Sequence, residues 1–159
     1  MEPVRVAVIG AGNIGQHHVR IYSEMSHVNL VGVVEAREDR GRFLAEKYGS
    51  RHYFDYHDLI GKVDAVSIAV PTSLHFQVAM NFLDNGTHVL VEKPITGKLE
   101  EAKKLVDMAR EKDLVLQVGH LERFNPAVHQ LKLILKDPNF FEAHRLSYPL
   151  RRNLDVGVV

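Results

Sequence analysis

Three glycines and one carboxylate are the first residues whose types and spacing point to chemistry. Gly10, Gly12 and Gly15 give the pattern G-x-G-x-x-G, and Glu35 follows about twenty residues after Gly15. Such a turn brings backbone close to a pyrophosphate. Gly10 makes the tight bend, Gly12 allows close approach of phosphate, and Gly15 allows a helix to pack against a strand. The helix that follows turns its free N–H groups and positive dipole end toward the phosphates. A carboxylate at the position of Glu35 accepts hydrogen bonds from an adenosine ribose. A glycine-rich turn has structural uses of its own, so the pattern counts only in the right context.

That context is strand, turn, helix, strand. Val4 to Ile9 is rich in β-branched residues and predicts a strand buried on both faces. Asn13 to Met25 predicts a helix, with Ile14, Ile21, Tyr22 and Met25 on one stripe. Asn29 to Val34 predicts a second strand, closed by Glu35. The alternation continues. A helix is expected from the charged run Arg37 to Arg40 as far as Tyr48. A short strand is expected at His52 to Phe54, and Asp55 caps a helical turn through Ile60.

Asp64 to Val70 predicts a further buried strand. Thr72 or Ser73 caps the next helix, whose stripe is Phe76, Ala79, Met80 and Leu83. Asn85 and Gly86 stop that helix. Thr87 to Val91 is the next strand, followed directly by Glu92, Lys93 and Pro94. Thr96 or Gly97 opens a helix to Lys112, with Leu99, Ala102, Leu105, Val106 and Ala109 inward. Leu114 to Val118 is the last strand of this series. Strands alternating with helices imply an α/β fold, a doubly wound parallel sheet of the Rossmann kind.

The character of the chain changes near His120. Asn125 and Pro126 give a helix start, cap then proline. Val128, Leu131, Ile134 and Leu135 form its apolar side, and Asp137-Pro138 ends it. Phe140 to Tyr148 reads as extended. The apolar run Leu154 to Val159 has no turn or cap and reads as a sequence cut in mid-element. The expected division is residues 1–121 as a dinucleotide-binding domain and 122–159 as the start of a second, truncated domain.

Bulk properties narrow the function classes. Lys plus Arg and Asp plus Glu are both 20, so charge gives no reason to expect nucleic acid or an anionic membrane as partner. There is no cysteine, which excludes disulfides and thiolate metal sites and fits a cytoplasmic protein. No apolar run approaches the roughly 18 residues of a membrane span. The N-terminus reads as a structural strand rather than a signal peptide. Ten histidines form no spacing that would hold zinc.

Three stretches taken together resemble one family. They are Gly10 to Gly15 with Glu35, the tripeptide Glu92-Lys93-Pro94 after a core strand, and Gly119 to Val128, Gly-His-Leu-Glu-Arg-Phe-Asn-Pro-Ala-Val. They resemble the Gfo/Idh/MocA family of nicotinamide-dependent oxidoreductases, over the first half of a typical member. The Gly119 to Val128 run is most similar to a branch acting on sugar nucleotides. The resemblance implies NAD as cofactor and a sugar or sugar nucleotide as substrate of the complete enzyme. It also implies a second α/β domain with an open sheet, which supplies substrate contacts and a homo-oligomer interface. Phe140 to Tyr148 would be that sheet's first strand.

The resemblance also assigns residues. Asn13 and Ile14 belong to the phosphate turn. Lys93 is the catalytic candidate, placed at the nicotinamide and the substrate hydroxyl as proton shuttle or hydrogen-bond donor. Glu92 accepts from the ribose or carboxamide, orients Lys93, or is merely solvated. The bond before Pro94 is a candidate cis peptide. Pro71, Thr72 and His75 match the loop under the cofactor, with Thr where the family often has Asn; His75 is otherwise a first-turn helix residue. Arg123 contacts cofactor or substrate, or forms an interdomain salt bridge. Two other classes compete with a dehydrogenase. One is a dinucleotide-binding module or fragment without chemistry of its own. The other is a methyltransferase, against which the Glu-Lys-Pro tripeptide argues.

Overall fold

The computed structural model describes residues 2–137 together with 139, 140, 142, 144 and 146. The strands are β1 (Val4–Ile9), β2 (Val28–Val34), β3 (Arg51–Tyr53), β4 (Ala65–Ile68), β5 (His88–Val91) and β6 (Leu116–Val118). The helices are α1 (Gly15–Glu24), α2 (Glu38–Lys47), α3 (Thr72–Asp84), α4 (Leu99–Glu111) and α5 (Pro126–Ile134). Short 3₁₀ turns lie at Tyr56–Leu59 and Leu121–Phe124.

All pairings are parallel, and the order is β3-β2-β1-β4-β5-β6. The chain winds outward from β1 to β3, then returns to β1 and winds the other way. The reversal lies between β1 and β4, the switch point beyond whose strand ends folds of this kind bind ligands. The strands also end level. Register pairs Tyr53 with Val34, Val34 with Ile9, Ile9 with Ile68, Ile68 with Val91, and Val91 with Val118.

Apolar side chains alternate to the two faces of the sheet. Ile9, Val66, Ile68 and Val91 pack with Phe82 and Leu83 of α3 and Leu105 of α4. Val8, Leu30 and Val33 pack with Val19 of α1 and Leu44 of α2 on the other side. Helix–sheet–helix layering of this kind buries β1 from Val6 to Ile9 and β2 at Leu30 and from Gly32 to Val34, while Val4 at the start of β1 is exposed. Phe82 is fully buried, and truncating such a residue costs about 3–5 kcal/mol.

Several sequence expectations hold. Asp55 accepts from the His57 backbone N–H, and the Asn125 side chain accepts from that of Ala127, with Pro126 at the helix start. Gly86 has φ 77° just past α3. The structure corrects others. The inward stripe of α1 is Gly15, Val19 and Tyr22; Ile14, Ile21 and Met25 are exposed. Those three do share a helix face. Close packing of Gly15 on the Gly10 turn, however, rotates that face away from the sheet. The N-cap of α3 falls on Pro71, without a side-chain cap, so Thr72 lies inside the first turn.

Leu99 is exposed at the start of α4. In α3 the burial is broader than one stripe, taking in His75, Val78 and Phe82, because α4 covers a second flank. The apolar residues of α5 are not buried; its contacts are chiefly with the 3₁₀ turn before it. Most of the expected strand Phe140 to Tyr148, and all of 151–159, lie outside the described residues.

Candidate functional site at the strand ends

Because the strands end level, the residues that follow them form one rim. Each is fixed by the carbonyl of a neighbouring strand. Gly10 N–H donates to Val34, Glu35 N–H to Tyr53, Ala69 N–H to Ile9, Glu92 N–H to Ile68, and Gly119 N–H to Val91. The sheet ladder thus extends one residue into the loops. Glycine turn, Glu35 carboxylate and Glu-Lys-Pro tripeptide stand in a row across four adjacent strands.

The three glycines of the turn differ in what surrounds them. Gly10 has φ 90°, and a Cβ there would meet Ala69 O and Val70 N at 2.8 Å. A Cβ on Gly15 would overlap the Gly10 carbonyl oxygen. Gly12 has nothing within 4 Å. Gly10 and Gly15 are therefore needed by the fold itself. Gly12 instead fronts open space at the N-terminal end of α1, beside the exposed Asn13 and Ile14. That cradle fits a pyrophosphate, since the first helical turn carries N–H groups without internal partners.

Glu35 is oriented by backbone. Its Oε2 accepts from Ala11 N–H at 3.1 Å and its Oε1 from Arg37 N–H at 3.1 Å. His52 Nε2–H donates to the Glu35 carbonyl at 2.8 Å. The carboxylate is held beside the glycine turn with acceptor capacity to spare. Arg37 is turned to Asp39, 2.9 Å between Nη2 and Oδ2.

On the other side of the switch point, Lys93 is exposed while its neighbour Glu92 is 8% exposed. Glu92 is no solvated charge. Its Oε2 accepts from Lys93 N–H at 3.3 Å, and His18 Nε2 stands 3.3 Å from Oε1. Oε1 has no donor in hydrogen-bond geometry, so the pair is a close polar contact rather than a directed hydrogen bond. His18 is still the main influence holding the Glu92 carboxyl below its usual range, with burial opposing and Lys93 N–H assisting. The other His18 nitrogen, Nδ1, bonds the hydroxyl of buried Ser67 on β4. Burial pushes the Tyr22 phenol up, only partly opposed by its hydrogen bond with the same Ser67. Gly119 makes room for all this, because a Cβ there would lie 2.6 Å from Glu92 Oε1.

The Lys93–Pro94 bond is cis. His75 is 1% exposed, with Nδ1 2.9 Å from the Pro94 carbonyl and Nε2 3.0 Å from that of Val70. Both nitrogens face backbone, so the ring has no N–H left to offer a ligand. Thr72 is buried beside it and Pro71 is exposed at the loop. Arg123 is exposed on the last 3₁₀ turn, and among the described residues its guanidinium has no carboxylate partner. Sequence reasoning gives no role to His18 or Ser67 and takes Gly119 only as the start of a motif. The available signal for His18 was its offset of three from Gly15, the inward residue of α1.

Comparison with known proteins agrees with this geometry. Residues 4–120 match the Gfo/Idh/MocA oxidoreductase family, NAD-binding Rossmann fold. UDP-N-acetylglucosamine 3-dehydrogenase of Acidithiobacillus ferrooxidans is 39% identical over 157 residues, 98% of this chain and 50% of that protein. The solved structure of that enzyme, GnnA, superposes with TM-score 0.76 at 40% identity, over 84% of this chain and 43% of the other. An NAD-dependent scyllo-inositol 2-dehydrogenase of Bacillus subtilis is 32% identical, covering 81% of this chain and 39% of its own. GenD2 from gentamicin A biosynthesis, solved with NAD, gives TM-score 0.78 at 30% identity, over 82% and 39%. The chain spans about half the length, or less, of these relatives. No helix among the described residues is long and apolar enough to cross a membrane. With its switch point, glycine cradle and Glu-Lys-Pro loop, the chain belongs to the Gfo/Idh/MocA oxidoreductase family and contains that family's NAD-binding Rossmann domain.

Proposed function

We propose that this chain is the cofactor-binding half of a dehydrogenase that oxidises a ring hydroxyl of a sugar or sugar nucleotide. The observation that carries the reading is the rim. Lys93, exposed, follows the same register row as the glycine turn and Glu35 but lies across the switch point from them. A dinucleotide laid along that row has its adenosine at Glu35 and its reactive end at Lys93. Bound there, NAD supplies the hydride acceptor. The chain's own residues do the rest. Backbone around Gly10, Gly12, Asn13 and Ile14 holds the pyrophosphate, with Gly15 keeping α1 in place. Glu35 accepts from the adenosine ribose. Lys93 Nζ hydrogen-bonds the substrate hydroxyl or takes its proton.

Pro71 and Thr72 line the loop between those ends, and Arg123 reaches toward cofactor or substrate from the edge beyond β6. Residues 1–121 form the dinucleotide domain, and 122–159 begin a second domain that brings substrate contacts and a homo-oligomer interface in the complete, cytoplasmic enzyme. The same relatives make UDP-N-acetylglucosamine the first substrate to try and inositols the next.

The test is steady-state kinetics of the complete enzyme carrying Lys93→Ala. Loss of acid–base help lowers kcat by roughly a hundred- to ten-thousand-fold, with the Kd for NAD little changed. Near wild-type turnover would make Lys93 structural. The alternative, a binding module without chemistry, is favoured if the complete protein reduces NAD with none of these sugars while still binding it.

A further inference from the structure

Two histidines, His75 buried and His18 half-buried, converge on the Glu-Lys-Pro loop from opposite faces of the sheet. His18 comes from α1 and contacts the Glu92 carboxylate 3.3 Å away. His75 comes from α3 and reaches the Pro94 carbonyl, 2.9 Å from Nδ1. Lys93 lies between the two contacted residues, and its own N–H donates to Glu92. We infer that His18 and His75 are positioning residues that brace the loop on either side of Lys93 and set where its side chain stands. This deepens the proposed function and rests on its placement of Lys93 at the nicotinamide end.

The surroundings of each ring show why histidine suits the place. His18 bridges two groups of opposite demand. With Nε2–H turned to the carboxylate, Nδ1 of the neutral ring accepts the Ser67 hydroxyl proton. The Ser67 hydroxyl, fully buried in β4, anchors the ring to the sheet. This ring is the polar neighbour of Glu92 Oε1, which has no hydrogen-bond partner, so removing the ring leaves the buried carboxylate with Lys93 N–H at Oε2 alone, which is costly. His75 faces two carbonyls, of Val70 after β4 and Pro94 after β5. A neutral ring donates to one and a protonated ring to both; either way the imidazole ties the β5 loop to α3 from beneath. An alkyl or phenyl group of the same size fills the space but holds neither carbonyl.

The test has two readouts on the 159-residue protein. The first is amide hydrogen exchange at Lys93 and Ile95 without ligand. His18→Phe and His75→Phe should speed exchange there about tenfold or more while amides of β1 and β4 stay protected. Unchanged exchange at the loop, or equal acceleration through the sheet, would overturn the brace. The second compares affinity for NAD with that for ADP-ribose, which lacks the nicotinamide. The Phe variants should lose about tenfold for NAD, one neutral hydrogen bond's worth, and keep ADP-ribose binding within about twofold. Parallel loss of both ligands would mean a structural role only.

If the Phe variants do not fold, the polar pair decides. His75→Asn keeps a donor near Nδ1, toward Pro94, and His75→Gln one near Nε2, toward Val70. Asn should bind NAD more tightly than Gln; equal affinities would overturn the proposal. Failure of the underlying reading looks different. In that case NAD and ADP-ribose shift the Lys93 and Ile95 amides of the unsubstituted protein alike, whatever the exchange result.

Discussion

The two sides of the rim are built by different means. On the β1–β2 side, the groups proposed to meet the cofactor are backbone N–H and one carboxylate, and the shape comes from absent side chains at Gly10, Gly12 and Gly15. On the β4–β5 side, the Glu-Lys-Pro loop is held by side chains from two helices, with Ser67 and Gly119 making the fit. The first side is a rigid cradle for a part of the cofactor common to many reactions. The second places a single lysine, and its supports are spread over the whole chain. At Gly10 and Gly15 the backbone tolerates no added atom, whereas a side-chain brace can be loosened by degrees.

The largest expected effect breaks the first side. Gly15→Ala puts a Cβ into the Gly10 carbonyl, and neither backbone can move without unseating α1. It should cost about 3 kcal/mol or more, read as a fall in denaturant midpoint. Gly12→Ala, in open space, should fold normally and lose NAD affinity. Equal stability loss at the two glycines would erase the distinction between fold-required and ligand-required positions.

The second side should respond to acid. The Glu92 carboxyl is held below its usual range, by His18 first and with Lys93 N–H assisting. A lowered folded value means the unfolded chain takes up the proton first as pH falls. The stabilisation is therefore complete above the ordinary glutamate value of about 4.3 and disappears as pH drops through the folded value. Glu92→Gln should flatten the decline of Tm between about pH 5 and pH 3. Parallel declines for variant and wild type would mean that the carboxylate contributes no such linkage.

The smallest effect lies away from both. Leu133 on α5 is 71% exposed, so Leu133→Lys should change stability by no more than about 0.5 kcal/mol. A larger loss in thermal unfolding would show that α5 packs against something in this chain.

The two sides also differ in how far they could be read from sequence. Glycine spacing, strand context and Glu35 are local, and the β-branched runs placed the strands correctly. The Glu-Lys-Pro loop was legible as a motif, but its supports were not. His18 and Ser67 are separated by 49 residues and meet only because α1 crosses β4. The rotation of α1 was misread for a related reason. Ile14, Ile21 and Met25 do form a stripe, yet contact at Gly15, not hydrophobicity, sets which face is inward. Likewise Leu99 is exposed because helix periodicity says nothing of where the neighbouring layer ends.

The central claim is that Glu35 and the glycine cradle select and hold NAD. A carboxylate oriented by Ala11 and Arg37 N–H accepts from a free ribose diol and repels a 2′-phosphate. Of the two cations that follow Glu35 in sequence, Arg37 and Arg40, Arg37 is engaged with Asp39. Calorimetric titration of the 159-residue protein with NAD(H) and with NADP(H) measures this directly. NAD(H) should bind more tightly by about tenfold or more, the worth of one charge-assisted hydrogen bond. Equal or tighter binding of NADP(H) would contradict the account.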